Sequence, residues 1–378
     1  MVAIRILVGL APVMAVAALA VSGGSEADSV HQRYLPGFNS LRTVVDIGDE
    51  RTVAYTSLGG PARLRWDRRW LAGARPLGGS APSWARRMYL RSLLVLRALT
   101  DRQTGAAIAG VREGWAYVWP RDASAAAMAL SAAGYRAKAR RIVRFLLGLD
   151  LGAAARFHRD GSPIEGREAQ GDAAGWVAVA AKNVGLSAPR PMRWRDRADY
   201  QEGEPGDYLA NAIATVAAEP QGLPAGVPAV RRPGELEIQK DFGASGVLVR
   251  RADDPESGLD SAAAWAVRPF GLRTLYPAAR RTLLRIAAHS SRFGIVPSED
   301  WDGGEDPWTA PMAWTAWSLA ALGERLAALR LMAALRRDTT PAGLLPERVD
   351  AHTGIPTSTT PLAWSHAFAV LTLRELWP

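Results

Sequence analysis

The sequence predicts an all-α fold, an (α/α)6 barrel in which an outer ring of helices wraps an inner one, with a small N-terminal β-hairpin element beside it. Three observations carry that expectation. From Pro82 to the C-terminus nearly every segment has helical periodicity. The helices are of two kinds in alternation, one apolar on all sides and one with a single apolar stripe, as inner and outer rings require. Long connections rich in Gly, Pro and Trp separate them, and loops of that length inside a compact domain usually carry function.

At 378 residues the chain can bury one large core or two ordinary ones. Residues 1–20 carry one early charge, Arg5, and an apolar run ending in small residues, which reads as a secretory signal cleaved after about Ala20. An uncleaved membrane anchor is the alternative, because the run borders on spanning length. Residues 21–33 are small and polar, a flexible leader. In the segment 34–81, ThrValValAspIle at 43–47 and ThrValAlaTyrThr at 52–56 flank Gly48 and Asp49, the pattern of a hairpin. That segment is expected to pack on the barrel, which occupies 82–378. A secreted or cell-envelope protein of this size with no cysteine must hold itself together by core burial, since neither a disulfide nor a thiolate metal site is possible.

The barrel elements follow in order. Ser83 to Leu99 is a candidate outer helix. Residues 122–133 carry almost no charge on any face and read as an inner helix that Asp122 could cap. The next helix, to Asp150, has Tyr135, Ala139, Ile142, Leu146 and Leu149 at spacings of four and three, with arginines elsewhere, and so has one wet side. Asp172 to Ala181 and Asp260 to Val267 are further inner candidates, and Pro277 to His289 a further outer one. The couplet recurs at 309–322, apolar nearly all round, followed by a stripe of Leu326, Leu329, Met332 and Leu335. Pro361 to Leu373 is the last inner candidate. About ten to twelve helices are expected. The connections 102–120, 156–171, 190–205, 293–308 and 339–360 would gather at one end of such a barrel and build a pocket.

The net charge of +9 is spread over many helices and forms no block, so no nucleic-acid partner is expected. No HExxH, GxSxG or GxxxxGK motif occurs and the five histidines are scattered, which sets aside metal, serine-hydrolase and phosphate-loop chemistry. No cofactor and no metal site is called for. His158 and His366 read as hydrogen-bonded structural residues.

What remains is a set of acids and rings on the long connections. GlyTrpAlaTyrValTrpProArgAsp at 114–122 joins flat apolar rings to ionised hydrogen-bonding groups, which suits a sugar with apolar faces and a hydroxyl rim. A buried aromatic corner in which Arg121 and Asp122 satisfy each other is the competing reading. Glu347 lies in GlyLeuLeuProGluArgVal, where the competing reading is a surface acid paired with Arg348; Glu202 and Glu204 lie in AspTyrGlnGluGlyGluProGly, where the local pattern by itself favours a solvated acidic turn. Glu299, Asp300 and Asp302 surround Trp301 ahead of Trp308, a pattern that favours a carboxylate caged by rings. Paired carboxylates are the minimum equipment for cleaving a glycosidic bond: one protonates the departing oxygen, the other attacks the sugar or activates a water.

These motifs resemble the glucoamylase and glucodextranase family of glycoside hydrolases, family fifteen. TyrValTrpProArgAsp at 117–122 is similar to its subsite motif, GlyLeuLeuProGlu at 343–347 to its catalytic-base motif, and ThrProLeuAlaTrpSerHis at 360–366 to its last inner helix, in the same order. AspGlySerPro with GlyTrp across 160–176 and ProSerGluAspTrpAspGlyGly at 297–304 match more weakly. The resemblance covers Ser83 to the C-terminus. It implies inverting, exo-acting hydrolysis of α-glucosides, with Glu347 as general base and Glu202 of AspTyrGlnGlu as general acid. Tyr117, Trp119, Arg121 and Asp122 would grip the terminal sugar, with Trp176, Glu299, Asp300, Trp301, Trp308 and Trp364 as further substrate-binding residues. Two departures stand out. Gln201 replaces a tryptophan expected beside the acid, and the large N-terminal β-sandwich of many bacterial members is missing.

The expected activity is therefore a secreted inverting exo-acting α-glycosidase, a monomer releasing glucose from an oligo- or polysaccharide. A trehalase or dextran-type α-glucosidase is the rival within the class, and a non-catalytic sugar-binding toroid the rival outside it. A plain helical scaffold would have no pocket at the loop end. Spacing alone leaves Glu202, Glu204, Glu235 and Glu237 open as the acid.

Overall fold

The computed structural model of the chain describes five N-terminal strands by their backbone and then residues 68–378, other than 113, 190–192, 219–232, 253 and 341. The strands are β1 (Val2–Leu7), β2 (Val16–Val21), β3 (Val30–Tyr34), β4 (Thr43–Ile47) and β5 (Thr52–Thr56). β4 and β5 pair antiparallel with Thr43 opposite Thr56, the hairpin that the alternation around Gly48 predicts, and β3 extends it to three strands. Most of the expected leader and the linker into the barrel lie outside the described residues.

Ten α-helices are found among the described residues: α1 (Ser83–Ala98), α2 (Pro120–Ala132), α3 (Arg136–Leu147), α4 (Ala173–Val184), α5 (Leu209–Ala218), α6 (Pro233–Gly243), α7 (Tyr276–Ala288), α8 (Thr309–Ala321), α9 (Arg325–Arg337) and α10 (Ala363–Leu376). A 3-10 segment, Ser261–Ala266, stands between α6 and α7. The short antiparallel pair β6 (Val249–Arg251) and β7 (Asp254–Leu259), with Val249 opposite Leu259, precedes it. Helix α2 packs on α4, α4 on α5, α5 on the 3-10 segment, that segment on α8, α8 on α10, and α10 back on α2. The result is a closed inner ring of six elements. Outside it stand α1, α3, α6, α7 and α9; no outer helix appears between α4 and α5 among the described residues.

Composition explains the two rings. Inner α2 is alanine-rich and buried from Pro120 to Leu130, whereas outer α3 buries Ala139, Ile142, Val143 and Leu146 and exposes Arg136, Arg141 and Arg144. Small residues let inner helices approach closely. A Cβ added at Gly175 would stand 2.3 Å from the Ala214 carbonyl oxygen, so the α4–α5 contact requires glycine there. The barrel axis is filled by Trp176, Trp265, Trp314 and Phe368, with successive ring centroids 5.0, 5.4 and 5.5 Å apart in edge-on contact. Each such ring, fully buried, stabilises the fold by roughly 1.5–3 kcal/mol.

Three expectations change. Asp122 makes no capping bond; α2 begins two residues earlier, where Pro120 supplies a preset φ and a missing N–H at a position that has no use for the donor. The inner element at 260–267 is a 3-10 turn capped by the Asp260 side chain and stopped by Pro269, not an α-helix. On α9 the expected stripe loses its first member: Leu326 is 75% exposed, while Met332 and Leu335 face the core as expected, joined there by Ala328 and Leu331. No helix among the described residues is long and apolar enough to cross a membrane.

Candidate active site

The long connections do gather at one end of the ring, and side chains from five of them line a single cavity of about 120 Å³. Trp119 is the residue before α2. Its extended backbone turns the largely buried indole toward the neighbouring loop, where Nε1 donates to Glu202 Oε1 at 3.1 Å. Arg121, in the first turn of α2, is 4% exposed; its Nη1 donates to Asp172 Oδ2 at 2.8 Å and to Gln170 Oε1 at 2.7 Å. Its guanidinium lies 4.6 Å from the Trp364 ring centre. Burial works against the Arg121 charge, but Asp172 and then Asp122 offset it and hold its pKa above the ordinary value. The aromatic-corner reading is thus half right. Arg121 is buried, yet its main ionic partner is Asp172, with Asp122 at 3.9 Å.

Asp122 has its pKa pushed up to about 7, first by burial and then by the nearby Glu347 carboxylate, with Arg121 opposing.

Glu347 lies within the connection between α9 and α10 and is fixed on both sides. Its N–H donates to the Thr359 carbonyl at 2.9 Å, its carbonyl accepts from Thr309 N at 3.0 Å, and Ser358 Oγ donates to Oε2. Two residues earlier, Leu345 N–H donates to His366 Nε2 at 2.9 Å, and His366 Nδ1 is 2.9 Å from Ser92 Oγ. A neutral His366 protonated on Nδ1 satisfies both contacts, so the histidine is a structural strut, as its isolation in the sequence suggests.

The Asp199–Glu202 segment is a tight turn closed by Glu202 N–H to the Asp199 carbonyl at 3.0 Å. Glu202 has φ of 60°, a left-handed conformation that costs a non-glycine residue about 1–2 kcal/mol. Buried polar groups support the turn from below. Tyr200 OH donates to Asp260 Oδ1 at 2.8 Å; Ser298 Oγ lies 3.0 Å from Gln201 Oε1 and 2.7 Å from Asp300 Oδ1. Arg250 of β6 joins Asp300 at 2.8 Å, Asp199 at 3.5 Å and Asp260 at 3.9 Å. Burial, reinforced by Asp199, pushes the Asp260 carboxyl up to about 7.

Of the residues expected from sequence, Glu347, Glu202, Trp119, Arg121, Asp122, Trp308 and Trp364 line the cavity. Five others do not. Trp176 is 0% exposed, wedged among Trp265, Phe270 and Phe368 on the axis, and can touch no ligand. Glu299 Oε2 accepts from Leu259 N–H at 2.8 Å, and Asp300 is held by Arg250. Trp301 meets Trp308 edge-on at 5.1 Å and lies outside the cavity lining. Tyr117 lies outside the lining too, its ring centre 6.4 Å from that of Trp119. Sequence reasoning missed Trp115, Tyr200, Arg156 and Arg167. Tyr200 and Gln201 directly precede Glu202 in the quoted motif, but nothing marked the two arginines among so many.

The rival acids separate in space. Glu204 is exposed, Glu235 accepts from Thr274 N–H at 2.9 Å, and Glu237 pairs with Arg195 at 2.7 Å; only Glu202 shares the cavity with Glu347 among the described residues. A larger depression of about 490 Å³ on the outer wall, beside Trp84, Arg87 and Arg336, holds no carboxylate.

Comparisons with known proteins agree with this architecture. The family model described as glycosyl hydrolases family 15 matches residues 83–149, which hold α1 to α3. A wild-type glycosidase of known structure superposes with a TM-score of 0.64 at 21% identity, covering 79% of this chain and 99% of that one. A bacterial glucoamylase solved with acarbose gives 0.62 at 17% identity, over 82% of this chain and 57% of that one. A family 15 glucoamylase from Hypocrea jecorina gives 0.59 at 15% identity, over 77% and 71%. At such identities the likeness concerns the fold. No curated protein matches the chain.

Proposed function

We propose that this chain, which carries the family 15 glycosyl hydrolase match on its first three helices and the fold of solved glucoamylases, is an inverting exo-acting α-glycosidase that releases glucose from an α-glucan or α-glucoside. The observation that carries the reading is that Glu202 and Glu347 line one cavity together with Arg121 and the Trp119, Trp308 and Trp364 rings. The cavity floor supports exo action. Tyr200 and Trp364 close it, and Trp314 packs beneath both at 5.5 and 4.6 Å, so a sugar chain enters by its end.

In the reaction, Glu347 takes a proton from a water while the water oxygen bonds to the anomeric carbon. Ser358 holds one Glu347 oxygen and leaves the other for that water. The glycosidic C–O bond breaks on the opposite face as Glu202 gives its proton to the departing oxygen, and the product anomer is inverted. Arg121 and Asp122 grip hydroxyls of the terminal sugar, and the tryptophans cover its apolar faces. The apolar run of residues 6–20, read as a secretory signal, would bring the enzyme to glucans outside the cell.

The reading is tested on a panel of α-glucosides with wild type, Glu347→Gln and Glu202→Gln. Each variant should lose about 10²–10⁴-fold in kcat while keeping its circular dichroism. Near-normal turnover in either variant would overturn that residue's assignment. Sugar binding by the wild type with no turnover on the whole panel would replace the enzyme by a sugar-binding toroid.

A further inference from the structure

Arg156 and Arg167 come from the connection between α3 and α4 and line the cavity beside Glu202. Arg167, half-exposed, ion-pairs with the Glu202 carboxylate. Arg156 stands over the Tyr117 and Trp119 rings at 5.0 and 5.5 Å and donates to the Gly114 carbonyl at 3.2 Å. Its buried Nε has no partner among the described residues. The two guanidiniums feel each other: burial, and then the charge of Arg156, lower the Arg167 pKa, with Glu347 opposing.

Arg167 has its ion-pair partner only while Glu202 is ionised. Two guanidiniums then face Glu202 and Glu347. A general acid, however, must carry a proton before it can deliver one, and a protonated Glu202 takes away the ion-pair partner of Arg167, leaving only the longer-range charge of Glu347. An anion entering the cavity can take that place beside the half-exposed guanidinium. Because Arg167 touches the carboxyl that faces the departing oxygen, it stands on the leaving-group side of the bond.

We infer that Arg156 and Arg167 form an oxyanion subsite, and that the preferred substrate is an α-glucoside whose leaving group carries a carboxylate or phosphate. The inference rests on the assignment of Glu202 as acid. The anionic group exchanges with Glu202 as the partner of Arg167, accepting two N–H bonds in the planar fork that guanidinium offers. The exchange frees the Glu202 oxygen to hold its proton, so that an acidic leaving group both binds and readies the acid.

The test uses matched pairs. Maltobionate and maltitol share an open-chain leaving group and differ in a carboxylate against a hydroxymethyl; α-maltose 1-phosphate and maltose differ in a phosphate. Affinity is read by calorimetry and glucose release by a coupled assay, with wild type, Arg167→Gln and Arg167→Lys. Wild type should bind at least one acidic member about tenfold more tightly than its neutral partner, as a charge-assisted pair contributes. Arg167→Gln should bring the ratio to within about twofold, and Arg167→Lys should restore part of it. The preferred pair tells carboxylate from phosphate. Equal or weaker binding of both acidic members by the wild type overturns the subsite whatever the turnover, and so does a preference untouched in Arg167→Gln. Preference without any glucose release would leave the subsite standing and overturn the glycosidase reading.

Discussion

Trp119 Nε1 donates to Glu202 Oε1 at 3.1 Å, joining the entrance of the first inner helix to a turn 83 residues downstream. Together with the Arg167 ion pair, the bond fixes where the carboxyl points, because the left-handed turn alone leaves the Glu202 side chain free to rotate. Trp119→Phe keeps a ring and removes the donor. A hydrogen bond to a charged group contributes about 1.5–3 kcal/mol, so kcat should fall by roughly tenfold to a hundredfold with KM little changed. Steady-state kinetics on an α-glucoside measures it, and an unchanged kcat would show that the bond does not position the acid.

His366 should stay neutral far below the usual imidazole range, since burial, with Arg91 adding to it, pushes its pKa down to about 3. A histidine whose folded pKa is depressed contributes stability that is present above pH ~6.5 and is lost as the pH falls toward the folded value. Its ring proton shifts should therefore show no titration between pH 5 and 8 in NMR. His366→Ala strands the Leu345 N–H, loosens the Glu347 segment, and should lower both the melting temperature and kcat.

Asp338, beyond the end of α9, has its pKa pushed up to about 8 by burial, with Arg337 opposing, and neither carboxyl oxygen has a partner among the described residues. An aspartate whose folded pKa is raised favours the folded state most below its unfolded pKa, and that contribution is lost as the pH rises through the folded value. Asp338→Asn should raise the melting temperature by several degrees at pH 9 and hardly at all at pH 4. A scanning fluorimetry series checks the sign.

Gln201 stands where the family resemblance implies tryptophan, and the structure gives it a job of its own. Its Nε2 donates to Tyr200 OH at 3.1 Å and its Oε1 faces Ser298 at 3.0 Å, in the buried layer centred on Arg250. Gln201→Leu leaves those groups short of partners, at about 1–3 kcal/mol for a buried unsatisfied group. Chemical denaturation should register the loss, and kcat should fall as the turn that carries Glu202 loosens.

The rings were legible in sequence because an inner helix has no side that meets water, and 309–319 shows it in composition alone. Depth along the barrel was not. Trp364 begins its helix and faces the cavity, whereas Trp176, also early on an inner helix, turns to the axis, and helical periodicity cannot tell these apart. Glu347 and the Trp119 to Asp122 stretch could be found as motifs. Choosing Glu202 over Glu204, Glu235 and Glu237 required the fold of the intervening connection. Arg167 could not be found at all, because its significance comes from a partner 35 residues away across the loop end.

The most direct measurement of the central claim follows the first minutes of hydrolysis of an α-glucoside by proton NMR. A base and an acid on opposite faces, with water between base and sugar, predict that β-glucose appears first and mutarotates to the α-anomer afterwards. Initial release of α-glucose would mean that Glu347 attacks the sugar itself, and would contradict the account of Glu202 and Glu347 given above.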